Sequence, residues 1–470
     1  MRPWLLVASV QGLNAPKAIT GEWPSRFPAK DLCSNCGLCR SDVGIASVTD
    51  SCAFIGDGMA RAEALEPLVH GRARHYDDAS LDEAHFGVHE EMVLAEGRVE
   101  GSQWTGVATG IALSWLEAGE VDAVVVAGSE GDGFGAPKPV LCRSPDDVLR
   151  GRRVKPSLCP SLAVLDEVRD DPTIRRLLFC GVGCAVQALR GMNGGSPEAA
   201  LGLDDLYVLG THCVDNSPTP EAAKNFVTTL PGVGAARADD VVAYEFMADF
   251  RVHARLADED GGETTVKPAY MSLPPSIGIP SIAPSCFSCF DYTNGLADVV
   301  VGYMGAPFDR GAEMTSAPLM VTVRNQKGAR MLAAAERAGR VVAKRAAGMP
   351  SSGDRGPITM KTVEGDSMVK TLTDPAYVAG DAGAPPFVAN ILANVIAAGL
   401  PKGLEFARYS IDYHYLRNAL YVEDAMGPTR AARHVPAYAR AIMARYETDM
   451  DKLRNPPPEK DGVFPFNLFS

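Results

Sequence analysis

Val121-Asp122-Ala123-Val124-Val125-Val126-Ala127 is a short, nearly unbroken apolar run, closed by Gly128 and by the glycines at 131 and 133. A β-branched run bounded by glycine reads as a buried strand. Just before it, Gly101–Gly106 opens a helix whose apolar positions Val107, Ile111, Trp115 and Leu116 recur at helical spacing. Downstream the signals keep alternating: a helix near 160–169, a strand at 176–179, a helix at 185–190 and a strand at 206–209. Strands follow at 299–303 and 319–323, the second running into Arg324 and Asn325, and a helix is expected over 329–346. Alternation of this kind stacks helices on the faces of a sheet. Segments 250–256 and 264–270, joined across Asp258–Gly262, read as an antiparallel hairpin.

The most unusual chemistry lies N-terminal to this core. Cys33-Ser34-Asn35-Cys36-Gly37-Leu38-Cys39 is followed, after twelve intervening residues, by Cys52. Three cysteines at two-residue intervals suit the loop that gives three thiolates to a [4Fe–4S] cube, with a fourth arriving from further along. Gly37, Gly56 and Gly58 supply the backbone freedom for such a wrap. A four-cysteine zinc site is the alternative, but zinc usually takes two separate CxxC knuckles. Ala53 stands where bacterial ferredoxins place a proline.

A chain of 470 residues with 46% hydrophobic and 22% charged content has enough material for two or three domains. A net charge of −13 argues against nucleic acid as a partner, because phosphate binding needs clustered positive charge. Eleven cysteines in CxxC-like spacings point to metal ligation rather than a disulfide framework. No stretch reads as a membrane span.

The expected fold is α/β, a mixed sheet flanked by helices, with an N-terminal iron–sulfur loop region and a C-terminal helical extension. Residues 1–30, nearly free of acids, read as a leader or targeting remnant. The iron–sulfur region spans 31–100, the α/β core 101–346, a proline-rich linker 347–386 and the helical region 387–470. Phe387, Ile391, Val395 and Leu400 give the last region apolar faces, suited to core or homo-oligomer packing or to a peripheral membrane contact.

A second group of cysteines is scattered through the core. Cys180-Gly181-Val182-Gly183-Cys184 lies between a strand and a helix, Cys213 follows a strand, and Cys286-Phe287-Ser288-Cys289 is a tight pair. Loops at one edge of an α/β sheet converge, so these cysteines can share a site. Cys142, Cys159 and Cys180 read as ordinary buried thiols. The glycines at 101–106 and 181–183 permit close approach to a flavin or pyrophosphate, though neither stretch is a GxGxxG.

Cys33–Asp57, Gly87–His89, Gly101–Gly106, Phe179–Leu189, Leu206–Asn216, Tyr244–Met247, Ala283–Gly305 and Pro401–Tyr409 together resemble the beta subunits of coenzyme F420-reducing hydrogenases. Within that family the chain is most similar to the ferredoxin-dependent chlorophyll reductases of oxygenic phototrophs. The resemblance implies FAD and two [4Fe–4S] clusters, one on Cys33, Cys36, Cys39 and Cys52, the other on Cys184, Cys213, Cys286 and Cys289. It implies reduced ferredoxin as donor, a chlorophyll-type tetrapyrrole as substrate and a chloroplast location.

Trp104, Thr105 and Gly106 are the first flavin contacts it suggests, followed by Gly181, Gly183, Arg324 and Asn325. The proton donor is sought among Glu245, Asp249 and His89, with His212 and Tyr292 also in or beside matched motifs. Phe54–Arg72, Met314–Pro318 and Ser351–Arg355 point to reduction of the 7-hydroxymethyl group of chlorophyll a. Val299–Phe308 fits equally the alternative, reduction of the 8-vinyl group of divinyl (proto)chlorophyllide a. Arg150, Arg152, Arg153 and Lys155 form the densest basic segment for docking ferredoxin.

Overall fold

The computed structural model describes residues 32–76, 81–129, 136–153, 155–308 and 311–454. The expected leader and the glycines at 131 and 133 lie outside them. The strands are β1 (Glu91–Gly97), β2 (Ala123–Ser129), β3 (Pro137–Cys142), β4 (Arg176–Gly181), β5 (Asp205–Thr211), β6 (Val241–Met247), β7 (Arg251–Ala257), β8 (Glu263–Val266), β9 (Val299–Gly302), β10 (Leu319–Val323) and β11 (Val341–Ala343).

Eight of these form one mixed sheet in the order β11-β1-β10-β9-β5-β4-β2-β3. The centre, β2-β4-β5-β9, is parallel, whereas β10, β1 and β11 on one side and β3 on the other join antiparallel. Successive residues of β4 point to opposite faces. Leu178 packs under α1 (Val107–Glu117) with Ile111 and Trp115. Leu177 and Phe179 face the other side, beneath α2 (Gly183–Gly191) with Val186 and Leu189. Each such fully buried side chain contributes roughly 1.5–3 kcal/mol, and burial on both faces explains the unbroken apolar runs. The mixed sheet with flanking helices is the expected architecture.

Several boundaries differ from expectation. The helix expected over 329–346 is α3 (Gln326–Arg337), ending before Gly339, whose φ of 69° turns the chain so that Val341 pairs with Gly97. β1 was hidden between acids, and β6 adds a third strand to the hairpin β7–β8. The proline-rich 347–386 stretch carries α4 (Gly356–Gly365) and α5 (Ser367–Thr373). Pro357 sits in the first turn of α4, where its missing N–H costs nothing. Val363 and Val369 are buried against Leu416 and Leu420.

Two long elements complete the C-terminal part, α6 (Pro386–Gly399) and α7 (Leu404–Met426). α7 carries polar residues into the interior, each with a partner. Asp412 accepts from His85 Nε2 (2.7 Å), Arg355 Nε (2.7 Å) and the Tyr446 hydroxyl (2.5 Å). Asn418 Nδ2 donates to the carbonyls of Cys286 (3.1 Å) and Cys289 (2.7 Å).

The N-terminal region is tied to the sheet by Arg324. Its buried guanidinium donates to the carbonyls of Phe86 (2.8 Å), Val88 (2.7 Å) and Thr293 (2.6 Å). Replacing it with methionine leaves three buried carbonyls without donors and is expected to cost roughly 3–5 kcal/mol. Denaturant unfolding of the Arg324→Met protein reads this directly. A midpoint equal to the parent's would show that these bonds do not hold the two regions together.

Candidate functional site

β2, β4, β5 and β9 are parallel, so their carboxyl ends share one edge of the sheet, the usual place for a ligand site in this architecture. A cavity of about 830 Å³ opens there. Cys184 enters its wall from the first turn of α2, Cys213 from just beyond β5, and Cys286 and Cys289 from the turn before β9. The N-terminal loop reaches the same wall with Ser34 and Cys36. Gly37 lets it do so: its φ is 89°, and a Cβ would lie 2.7 Å from the backbone of Pro160 and Ala163.

The thiols fall into two interacting sets. Burial, then Cys36, Cys52 and Cys39, push the Cys33 thiol up. Burial and Cys36 push Cys52 up to about 12. In the other set, burial raises Cys213 well above its ordinary range, with Cys286 and Cys184 adding to it. Burial and Cys184 do the same to Cys289. The sets adjoin, because Cys36 acts on Cys184 and the Ser34 hydroxyl hydrogen-bonds both.

Backbone N–H groups donate to three of the sulfurs: Asn35 to Cys33 (3.3 Å), Asn216 to Cys286 (3.3 Å) and Asp291 to Cys289 (3.5 Å). Such bonds stabilise thiolate ligands. Among the described residues, no three His, Cys, Asp or Glu side chains converge on a single metal ion. Four mutually interacting thiols in each set are the donor number and type that a [4Fe–4S] cluster takes. Cys180 and Cys142 interact with each other, apart from both sets, and Cys159 lies beside Lys155.

The far wall is aromatic. Trp104 stacks on Tyr303 at 5.3 Å with 13° between the rings, and Phe308 meets its edge at 6.5 Å. Glu245 lies against this wall, accepting from Gln103 Nε2 (3.1 Å) and from the Trp104 indole. Burial lifts its carboxyl to about 7 in spite of the indole bond. Three neighbouring side chains lack a hydrogen-bond partner among the described residues: the Ser102 hydroxyl, the Tyr292 hydroxyl and both nitrogens of His212. A planar aromatic face with unspent donors suits a flavin ring or a tetrapyrrole.

Trp104, Gly106, Gly181, Gly183 and Glu245 therefore line the cavity, as do His212 and Tyr292. Other expected residues are engaged elsewhere. The Thr105 hydroxyl accepts from Gly97 N–H (2.9 Å), and Arg324 is spent on the carbonyls described above. Asn325 caps α3 by accepting from Gly328 N–H (3.1 Å) and donates to Asp298 (2.8 Å). Asp249 accepts from His253 Nε2 (2.9 Å), and His89 Nδ1 donates to the Gly87 carbonyl (2.8 Å). None of these five borders the cavity. Cys33, Cys39 and Cys52 sit behind it.

The basic segment is also consumed locally. Lys155 Nζ donates to the carbonyls of Gly151, Arg152 and Arg153, and burial lowers it to about 8. Arg153 pairs with Glu263 (2.6 Å), Arg152 donates to Glu100 and Leu149 carbonyls, and Arg150 pairs with Asp147. The expected patch is therefore smaller than its sequence suggests: Lys155 is turned onto the carbonyls of its own turn and Arg152 and Arg153 are tied to neighbouring segments, while Arg150 stays at the surface.

Sequence reading missed Ser34, Gln103, Tyr303 and the Arg417–Asp215 pair (2.8 Å) beside the second thiol set. The aromatic at 303 and the Gln103-Trp104 pair were visible within marked stretches. The pair joins residues 202 positions apart and leaves no local signal.

Comparison with known proteins identifies the family. Residues 93–166 match the N-terminal domain, and 174–348 the C-terminal domain, of the coenzyme F420 hydrogenase/dehydrogenase beta subunit. The chain is 46% identical over 92% of its length, and 88% of the relative's, to a rice protein named 7-hydroxymethyl chlorophyll a reductase, chloroplastic. An uncharacterised Nostoc protein is 40% identical over 90% of this chain and 95% of its own. The coenzyme F420 hydrogenase beta subunit of Methanococcus voltae is 27% identical over 47% of this chain and 75% of its own. A chain of the xenon-derivatised F420-reducing [NiFe] hydrogenase complex of Methanosarcina barkeri superposes with a TM-score of 0.47 at 20% identity, over 64% of this chain and 98% of that one. With both domains matched and nearly the whole length shared with the rice relative, the chain belongs to the coenzyme F420 hydrogenase/dehydrogenase beta-subunit family of redox enzymes.

Proposed function

We propose that the protein is a plastid reductase that takes electrons from reduced ferredoxin and converts 7-hydroxymethyl chlorophyll a to chlorophyll a. The observation that carries this is the end-to-end match to the rice reductase. The cavity supports it with an aromatic wall, two thiol sets and one carboxyl that titrates near neutrality.

Cys33, Cys36, Cys39 and Cys52 would hold one [4Fe–4S] cluster and Cys184, Cys213, Cys286 and Cys289 the second, with FAD against Trp104, Gly106, Gly181 and Gly183. Bound there, these groups supply one-electron transfer and its conversion to two-electron chemistry. The overall change uses two electrons and two protons: the C–O bond at the 7-substituent breaks, a C–H bond forms, and water leaves.

The protein's own contribution is the proton for the departing hydroxyl. Glu245 is placed for this, because its carboxyl holds a proton up to about pH 7. Gln103 and Trp104 fix its orientation by hydrogen bonds, and Tyr303 stacks on the Trp104 ring that carries one of them. Arg417, held bidentately by Asp215, keeps a buried counter-charge beside the second thiol set.

The deciding experiment is anaerobic turnover by the reconstituted protein with reduced ferredoxin, offering 7-hydroxymethyl chlorophyll a and divinyl chlorophyllide a in parallel. Formation of chlorophyll a from the first alone is expected. Turnover of the vinyl substrate alone would replace the proposed activity. Since the protonated acid is the active form, kcat should be level below about pH 7 and fall above it, tracking Glu245. The Glu245→Gln protein should lose about 10²-fold in kcat and also lose that descending limb. A retained limb would assign the proton to another group. Iron analysis of Cys184→Ala should drop from about eight to about four atoms per chain; an unchanged count would remove Cys184 from the ligand set.

A further inference from the structure

α6 is built unlike every neighbouring element. Between Asp374 and Lys402 the chain carries one charge, Asp381, and none within the helix. Ala389 and Ala393 are fully buried against Ala269, and this small-residue face seats the helix on the protein. Asn390 and Asn394 accept from the Arg251 guanidinium on one flank. On the other flank Leu392 and Ile396 enter the wall of the cavity. The remaining face points outward with Phe387 76% and Val395 64% exposed, and with Val388 and Ile391 exposed between them.

At 100° per residue these positions form one arc. Phe387, Ile391, Val395 and Val388 lead round to Leu392 and Ile396 without a polar side chain between them. An apolar track therefore runs from the outer surface into the cavity. Tyr270, itself partly exposed and 6.2 Å from the Phe246 ring, lies where the 270–272 turn packs on the helix.

We propose that α6 is a monolayer-inserting helix that seats the cavity mouth on an uncharged lipid surface. The four outward side chains leave on the order of 400 Å² of apolar surface uncovered, about half of the ~800 Å² that each partner buries in a stable protein interface. An uncharged apolar arc of that size is enough for shallow insertion among acyl chains, and its continuity with the cavity wall favours lipid over a second copy of this chain. The absence of lysine and arginine from the face, and a net charge of −13, remove attraction to anionic lipid. Attachment is thus apolar and insensitive to salt. No helix among the described residues is long and apolar enough to cross a membrane, so the contact is peripheral. Its use rests on the proposed chlorophyll substrate, whose hydrocarbon tail keeps it in lipid, and the track along α6 gives that tail a way in. The attachment itself does not depend on that reading.

The test is flotation of the reconstituted holoprotein with phosphatidylcholine–galactolipid vesicles at low and high salt. The parent should float at both. Ile391→Glu/Val395→Glu should lose at least tenfold in the bound fraction, while its iron content, visible spectrum and unfolding midpoint stay those of the parent. Phe387→Trp provides a milder probe: its emission should shift to the blue on adding vesicles. A parent that stays with the soluble fraction, a Phe387→Trp emission that does not move, or a double variant that still floats would overturn the proposal. So would a double variant whose only change is a smaller assembly, which would make the face an interface between copies. Flotation is read without turnover, so an inactive protein that floats sinks the proposed reaction and leaves the lipid contact standing.

Discussion

Burial of thiols is the constraint on which this structure turns. Segments as far apart in sequence as residues 33 and 289 bring their cysteines into one poorly solvated region. There burial drives Cys39 to about 11 and Cys52, Cys184 and Cys286 to about 12. A thiol so placed stays protonated unless a metal charge stands directly against it. The nearby protein charges pull in both directions. Arg40 and Arg61 favour the thiolates of the first set, whereas Asp215 and Asp291 disfavour those of the second. Protonated, these thiols pack as small apolar groups, and the backbone N–H···S bonds are already aimed at the sulfurs in the way that stabilises thiolate ligands.

Holding that region together falls to α7. A helix with Asp412, His414, Arg417 and Asn418 on inward faces would be a poor core element unless every group found a partner. Each does, and the partners come from elsewhere: His85 and Arg355 for Asp412, Asp215 for Arg417, the cysteine carbonyls for Asn418. Asp412 is held below the usual carboxylate range by His85 and Arg355 in spite of its burial. α7 thereby joins the N-terminal loop, the 286–289 turn and the α4–α5 pair into one body around the cavity.

The carboxyl side and the thiol side of the cavity are physically distinct. Glu245 stands on the small β6-β7-β8 sheet, against Trp104 from the start of α1. The thiols stand on the loops of the large sheet. Glu245 is supported by Gln103 and Trp104 rather than by the thiol loops, and its carboxylate, once ionised, adds to the forces that keep the Cys213 thiol protonated.

The sequence by itself determined the elements whose causes are local. Buried strands show as unbroken valine and leucine runs, α1 shows by its 3.6-residue period, and the cysteine spacing at 33–39 shows a chelating loop. The tertiary structure alone decided the rest. Arg324, Asn325 and Thr105 sit in motifs that resemble a flavin site, yet the terminal nitrogens of Arg324, the amide of Asn325 and the hydroxyl of Thr105 meet backbone and carboxylate groups that other segments bring to them. Arg150, Arg152, Arg153 and Lys155 look like one docking surface in one dimension, whereas in three Lys155 folds onto its own turn and Arg153 onto Glu263, leaving Arg150 at the surface. α4 and α5 were hidden because prolines break helices only in their interiors, and Pro357 stands at a start. Propensity, period and spacing are properties of neighbours in the chain. Which donor meets which acceptor, and which thiols meet each other, is fixed by how the sheet edge gathers residues that the sequence keeps far apart.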